Sequence, residues 1–136
     1  LAGDPLTIYG DGSQTRSFCY VSDLIDGIVA MIDSADAGPI NLGNPEEFTV
    51  GDLADAVGRL VGGSRIEHHP LPMDDPTRRR PDIAKARAVL GWQPSVPLSE
   101  GLAQTAEWFR ARPEEVQAAR RALAGPQLAT DEGSAA

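Results

Sequence analysis

Fourteen glycines and eleven prolines are scattered along 136 residues, so few segments can run far before a residue that bends or stops them. Short strands and short helices joined by many turns are what such a chain can build. Its length is that of one ordinary domain. Apolar residues make up 41%, enough for a core, but aromatics only 5%, so that core must be chiefly Leu, Ile, Val and Ala.

The order of segments predicts an α/β chain rather than an all-α one. Leu1 to Asp4 reads as the end of an earlier element, and the chain opens on Leu1 rather than Met, as if inside a longer one. Leu6–Tyr9 and Ser17–Val21 are β-type runs on either side of Gly10-Asp11-Gly12, a pattern typical of a turn or hairpin. Ser22 can cap a helix over 23–33, whose Leu24, Ile25, Ile28, Val29 and Ile32 share one face. Asp23 falls in its first turn, where a carboxylate suits the helix dipole. Ile40 to Leu42 predicts a brief strand. Thr49-Val50-Gly51-Asp52 is an acidic capping box for a helix carrying Leu53, Val57, Leu60 and Val61, which stops at Gly62-Gly63.

Ile66 to His69 is a further strand candidate, and 70–81 a polar, proline-rich loop. Asp82 predicts the cap of a short helix through Leu90, closed by Gly91. Ser99 predicts the start of a helix bearing Leu102, Ala106 and Phe109, and Pro113 the start of another through Ala124. From Gly125 the composition turns small and polar, which predicts a disordered tail over 125–136.

Twelve Lys and Arg against twenty Asp and Glu leave a net charge of -8, which argues against nucleic-acid binding. A small phosphorylated ligand held by two or three arginines stays open. The longest mainly apolar run, Leu24 to Ile32, is interrupted by Asp26 and is too short to span a bilayer. The lone Cys19 permits no internal disulfide, and a reducing cytoplasm is the simplest setting.

No catalytic constellation is visible. His68 and His69 would point to opposite faces of a strand and could not share a metal. Cys19 reads as a buried structural thiol, and Ser17 and Asp23 lack a histidine that would make a triad. Asp74-Asp75 reads first as a charged, solvated loop. Gly10-Asp11-Gly12 lacks a third glycine and opens no helix, so it is not a dinucleotide fingerprint. Neither Tyr9 nor Tyr20 has a Lys four residues on. Two basic features remain, Gln14-Thr15-Arg16 and Arg78-Arg79-Arg80. Arginine's planar fork of donors suits phosphate oxygens, although spacing alone favours solvated surface for these side chains.

The run from Pro5 to Leu24, with Gly10-Asp11-Gly12 and Gln14-Thr15-Arg16-Ser17-Phe18 inside it, resembles the extended short-chain dehydrogenases that act on nucleotide sugars, the NAD-dependent epimerase/dehydratase family. Three later blocks agree in order: Asn41-Leu42-Gly43-Asn44-Pro45, Asp74-Asp75-Pro76 through Arg79 to Pro81-Asp82-Ile83, and Leu90-Gly91-Trp92-Gln93-Pro94. The resemblance covers roughly residues 1–110. Gln-Thr-Arg-Ser-Phe and Asp-Asp-Pro before a basic run are similar to the UDP-glucuronate decarboxylase (UDP-xylose synthase) branch rather than to the 4,6-dehydratases or 4-epimerases.

The resemblance implies a Rossmann-type α/β fold of which residues 1–111 are the C-terminal substrate-binding part, the main NAD-binding sheet being missing. Residues 112–124 would be an extra helix outside it, and a lineage-specific extension. It implies oxidation of C4 of the glucuronate ring by a tightly held NAD, loss of carbon dioxide from the β-keto acid, and return of the hydride to give UDP-xylose. NAD would be held mainly by the missing N-terminal half. This chain would supply no catalytic, cofactor-binding or metal-binding residue. For the UDP-sugar, Leu6, Thr7, Ile8 and Tyr9 would lie along the uracil, Gln14 and Arg16 would contact the nucleotide, and Arg79 would complete a diphosphate clamp. Trp92 would anchor a short helix in the core. The intact protein would be a homodimer, with no nucleic-acid or membrane partner. The 23–33 helix and the 40–42 strand would pack on the NAD lobe. Alone, the chain would be inactive, and loosely folded or self-associated. The competing readings are a sibling epimerase or dehydratase, a non-catalytic module that binds a nucleotide sugar or a protein, and a remnant of a broken gene.

Overall fold

The structure, a computed structural model, describes residues 3–123. The predicted tail and Ala124 lie outside them. Strand β1 spans Leu6–Tyr9, β2 Thr15–Arg16, β3 Phe48–Thr49, β4 Ile66–His69 and β5 Arg78–Arg79. Helix α1 spans Val21–Ile32, α2 Val50–Val61, α3 Ala84–Leu90, α4 Leu98–Arg110 and α5 Pro113–Leu123. β1 pairs with β4 in a parallel two-stranded sheet, and β2 lies between β3 and β5 in a second sheet. The Gly10-Asp11-Gly12 turn is therefore no hairpin. It hands the chain from one sheet to the other, with the Asp11 carboxylate accepting from the Ser13 backbone N–H and hydroxyl.

Local signals formed the expected elements. The Thr49 hydroxyl accepts from the Asp52 N–H at 2.9 Å and the Asp52 carboxylate accepts from the Thr49 N–H, the reciprocal capping box. α2 ends at Gly62. Gly91 closes α3 at φ 64°, a left-handed conformation that costs a residue with a Cβ far more.

Five expected elements differ. Ser17–Val21 is not a strand, because β3 and β5 run beside only Thr15 and Arg16. Phe18, Cys19 and Tyr20 instead line a cavity of about 220 Å³ with Leu53 and Val57 of α2 and Leu98 and Leu102 of α4. Ile40 to Leu42 forms no strand, since no partner edge reaches it among the described residues. Part of the 70–81 loop is a strand, β5, recruited by β2. Helix starts shift as well: α1 begins at Val21 with Tyr20 rather than Ser22 at its cap position, and α4 begins at Leu98, not Ser99. The Asp82 carboxylate does serve α3, accepting from the Ala84 N–H at 2.9 Å, with Ile83 at the cap position.

The core is small. Ile83, Ala86 and Trp92 are its buried centre, with Cys19, Ile40, Leu42 and Leu90 packed against them. The Trp92 indole N–H donates to the Asp23 carbonyl at 2.9 Å. Gly27 of α1 faces Leu42 and Trp92 so closely that a Cβ there would lie 2.9 Å from each. Asp23 does more than suit a helix dipole. It is 4% exposed, and its carboxylate accepts from the Ser95 N–H, the Ser95 hydroxyl and the Val96 N–H, which pins the start of α1 to the segment entering α4.

The other side of α1 has no cover. Val21, Ile25, Ile28 and Val29 are about half exposed, and Ile32 is 76% exposed. Full burial of such a side chain is worth roughly 1.5–3 kcal/mol, and a half-exposed one forgoes about half of that; over five side chains the loss is large against a total domain stability of about 5–15 kcal/mol.

Two outcomes follow from this packing. Asp23→Ala leaves three part-buried donors without their acceptor and is expected to cost about 1–3 kcal/mol in denaturant unfolding; a loss near zero would contradict the role given to that carboxylate. The chain by itself is expected to associate in a concentration-dependent way in sedimentation velocity. Replacing Ile25→Glu and Ile32→Glu together should return it to monomer.

Candidate functional site

The candidate residues cluster where β1 ends and β2 meets β5. β2 and β5 run parallel with Thr15 opposite Arg78 and Arg16 opposite Arg79. Neighbouring strands sit about 4.8 Å apart, and alternate side chains leave opposite faces. Thr15 and Arg78 therefore share one face, and Arg16 and Arg79 share the other.

The first face is closed by Glu47. Its carboxylate accepts from the Thr15 hydroxyl at 2.8 Å, from Arg78 Nε at 2.8 Å and from Arg78 Nη2 at 2.6 Å. Arg80 stands 3.8 Å from the same carboxylate. The Arg78 and Thr15 hydrogen bonds hold the Glu47 carboxyl below its ordinary range. Nothing in the sequence flagged Glu47, since its partners lie 31 and 32 residues away.

The second face carries the candidate pair. Arg16 is largely covered, with its side chain 18% exposed. Its Nη1 donates to the Thr15 carbonyl at 2.8 Å and its Nη2 to the Asp75 carboxylate at 2.5 Å. Arg79 is exposed and has no side-chain hydrogen bond or ion pair among the described residues. One of the two acidic loop residues is thus not merely solvated: Asp75 is tied to Arg16.

Gln14 joins this face to β1, its side-chain N–H donating to the Tyr9 carbonyl at 2.7 Å. In β1 the four candidate residues are not equivalent. Leu6 N–H donates to the Arg65 carbonyl and Gly10 N–H to the His69 carbonyl, so Leu6, Ile8 and Gly10 turn their backbone groups toward β4. Ile8 is also buried. Leu6 and Ile8 have their backbone hydrogen bonds committed within the sheet. Thr7 and Tyr9 are exposed and turn toward the open edge, where the Tyr9 carbonyl is taken by Gln14 and the Tyr9 N–H and the Thr7 backbone groups remain.

The remaining candidates separate from this cluster. His68 Nδ1 lies 2.8 Å from the Gly10 carbonyl, and the His69 ring packs against Tyr9 at 5.7 Å between centroids. No group of three or more His, Cys, Asp or Glu able to hold a metal occurs among the described residues. Burial, and then the nearby Asp23 carboxylate, push the Cys19 thiol up, away from the reactive thiolate. No described helix is long and apolar enough to cross a membrane. The glycine turn after β1 leads into a strand rather than a helix, so it offers no cradle for a dinucleotide diphosphate.

Comparison with known proteins gives the family. The sequence model of the GDP-mannose 4,6 dehydratase family matches residues 1–105. The chain belongs to that family. The UDP-glucuronic acid decarboxylase 1 of Danio rerio is 49% identical over 130 residues, which is 95% of this chain and 31% of that protein. The UDP-glucuronic acid decarboxylase 3 of Arabidopsis thaliana is 50% identical over 116 residues, 82% of this chain and 33% of that protein. The chain thus spans about a third of the length of these relatives. The zebrafish match, over 95% of this chain, runs past Arg112.

Among solved structures, the UDP-glucose 4-epimerase of Thermotoga maritima with UDP-glucose superposes with a TM-score of 0.78 at 31% identity, over 82% of this chain and 37% of that one. The UDP-glucuronic acid 4-epimerase of Bacillus cereus with UDP-glucuronic acid and NAD superposes at 0.67 and 34% identity, over 72% of this chain and 32% of that one. The fold is α/β, a part of the Rossmann-type extended short-chain dehydrogenase fold.

The Glu47 contacts make a pH-dependent expectation. A carboxyl whose folded pKa lies below its ordinary 4.5 stabilises the fold above that value, and the contribution is lost as pH falls through the folded pKa. The melting temperature of Glu47→Gln should be lower than wild type at neutral pH, and the two should converge as pH drops below 4.5. A constant gap across that range would contradict it.

Proposed function

We propose that this chain is the nucleotide-sugar-binding part of an NAD-dependent UDP-glucuronate decarboxylase, which converts UDP-glucuronate to UDP-xylose and carbon dioxide. The observation that carries this reading is the register of β2 and β5, which sets Arg16 directly beside Arg79 on one face. Two guanidinium groups on adjacent strands match the two phosphates of a nucleoside diphosphate, each by a charge-assisted fork. Tyr9 and Thr7 border the same region with an exposed strand edge, whose unused backbone groups can read the rim of a uracil ring. Gln14 fixes the end of that edge relative to β2. Of the four β1 candidates, Thr7, by both backbone groups, and Tyr9, by its N–H alone, are left to contact the base.

Identity near 50% to decarboxylases, against 31–34% to the epimerases of similar fold, favours decarboxylation over epimerisation. NAD, which supplies the hydride chemistry when bound, would be held mainly by residues other than those of this chain, whose glycine turn after β1 opens no helix to receive a diphosphate. What these residues do is bind and orient. They fix the diphosphate and uracil so that the sugar projects toward the rest of the enzyme. The bare side of α1 is the surface on which the rest would pack, as a homodimer subunit or otherwise.

Calorimetric titration of the intact protein with UDP tests the clamp. Arg16→Met and Arg79→Met are each expected to weaken UDP by about tenfold or more, the scale of a charge-assisted phosphate contact. Uridine, which lacks the diphosphate, should be little affected, and Arg78→Met should leave UDP affinity unchanged. Equal losses for UDP and uridine would contradict a phosphate-specific role. Product analysis with UDP-glucuronate separates UDP-xylose from an epimer.

A further inference from the structure

The two guanidinium groups of the proposed clamp are not in the same state. Arg79 is exposed and without a partner among the described residues, whereas Arg16 already holds an anion, the Asp75 carboxylate at 2.5 Å. The contrast with the opposite face is informative. There Glu47 is locked by two bonds from Arg78 and one from Thr15, a permanent tie between strands. Asp75 makes one side-chain bond only among the described residues, to Arg16. It lies in the loop between β4 and β5, where its backbone N–H reaches the Pro72 carbonyl only at a long 3.3 Å and where Met73 is fully exposed. The segment that carries Asp75 is weakly held.

Orientation of Arg16 does not need Asp75, because the Thr15 carbonyl already takes a hydrogen bond from its Nη1. A carboxylate left beside a bound diphosphate would repel it, since like charges at such range raise each other's energy. Asp75 takes one of the five guanidinium N–H donors of Arg16 and neutralises the charge that would draw a phosphate oxygen, so the two anions compete for the same cation.

We propose that Asp75 is a built-in competitor for the diphosphate: it neutralises Arg16 in the free protein and is displaced when a nucleoside diphosphate binds. The proposal rests on the reading of Arg16 and Arg79 as the phosphate-binding pair. Arg79, free from the start, makes the first contact. Exchange of Asp75 for a phosphate oxygen at Arg16 then completes the clamp and releases the β4–β5 loop. The device keeps a covered guanidinium charge-paired when no ligand is bound, and it lowers affinity for the nucleotide, which helps its release.

The test is calorimetric titration of the intact protein with UDP and with uridine, for wild type, Asp75→Asn, Asp75→Ala and Arg16→Met. Both Asp75 variants are expected to bind UDP about three- to tenfold more tightly, with uridine unchanged, as removal of one competing ion pair implies. Two variants of different shape guard against a loop disturbed by either one. If Asp75→Asn and Asp75→Ala bind UDP no better than wild type while Arg16→Met loses it, the competitor role is overturned and the clamp stands. If Arg16→Met binds UDP as wild type does, the clamp itself fails and the inference falls with it.

Discussion

Two residues of β2 lying in register beside two residues of β5 organise the functional side of this chain. The pleat gives each face of that ladder one basic pair or mixed pair, and the two faces have different fates. On one, Thr15 and Arg78 converge on Glu47, which ties three distant segments together. On the other, Arg16 and Arg79 stand side by side. The structural face pairs its arginine with Glu47, while on the other face Arg16 is paired with Asp75 and Arg79 alone keeps its charge unpaired among the described residues. A chain with net charge -8 keeps a local cationic spot by this sorting.

The rest of the molecule positions that ladder, and does so with a thin core. Trp92 and Asp23 form the main long-range tie, through the indole N–H on one side and the carboxylate on the other. α1 is held by its first turn and by Gly27, yet shows a stripe of large aliphatic side chains to solvent. A chain that spans a third of its relatives and leaves such a stripe bare has the surface of a piece whose packing is shared with more protein.

Legibility in the sequence followed the range of the interaction. The Thr49–Asp52 capping box, the stop at Gly62, the α3 closure at Gly91 and the start of α5 at Pro113 are set by residues within a turn of each other, and all were readable. Ile40 to Leu42 was not, because an apolar run makes a strand only where an edge is offered, and here Ile40 and Leu42 pack on the core around Trp92 instead. Ser22 gave no cap because the chain enters α1 one residue earlier, while Asp23 turns away from its own helix to Ser95 and Val96, 72 and 73 residues on. Within the site, family resemblance singled out Arg16 and Arg79, which spacing could not separate from Arg78 and Arg80. Glu47 and the grip of Asp75 on Arg16 were invisible, since a pairing across 59 residues leaves no local pattern.

The central claim is geometric: the diphosphate of a uridine nucleotide lies between the side chains at positions 16 and 79. A crystal structure of the intact protein with UDP bound tests it most directly. The account predicts both guanidinium groups within hydrogen-bond distance of phosphate oxygens and the uracil along the open edge at Thr7 and Tyr9. A diphosphate bound elsewhere, with Arg16 and Arg79 both facing solvent or protein carboxylates, would contradict it.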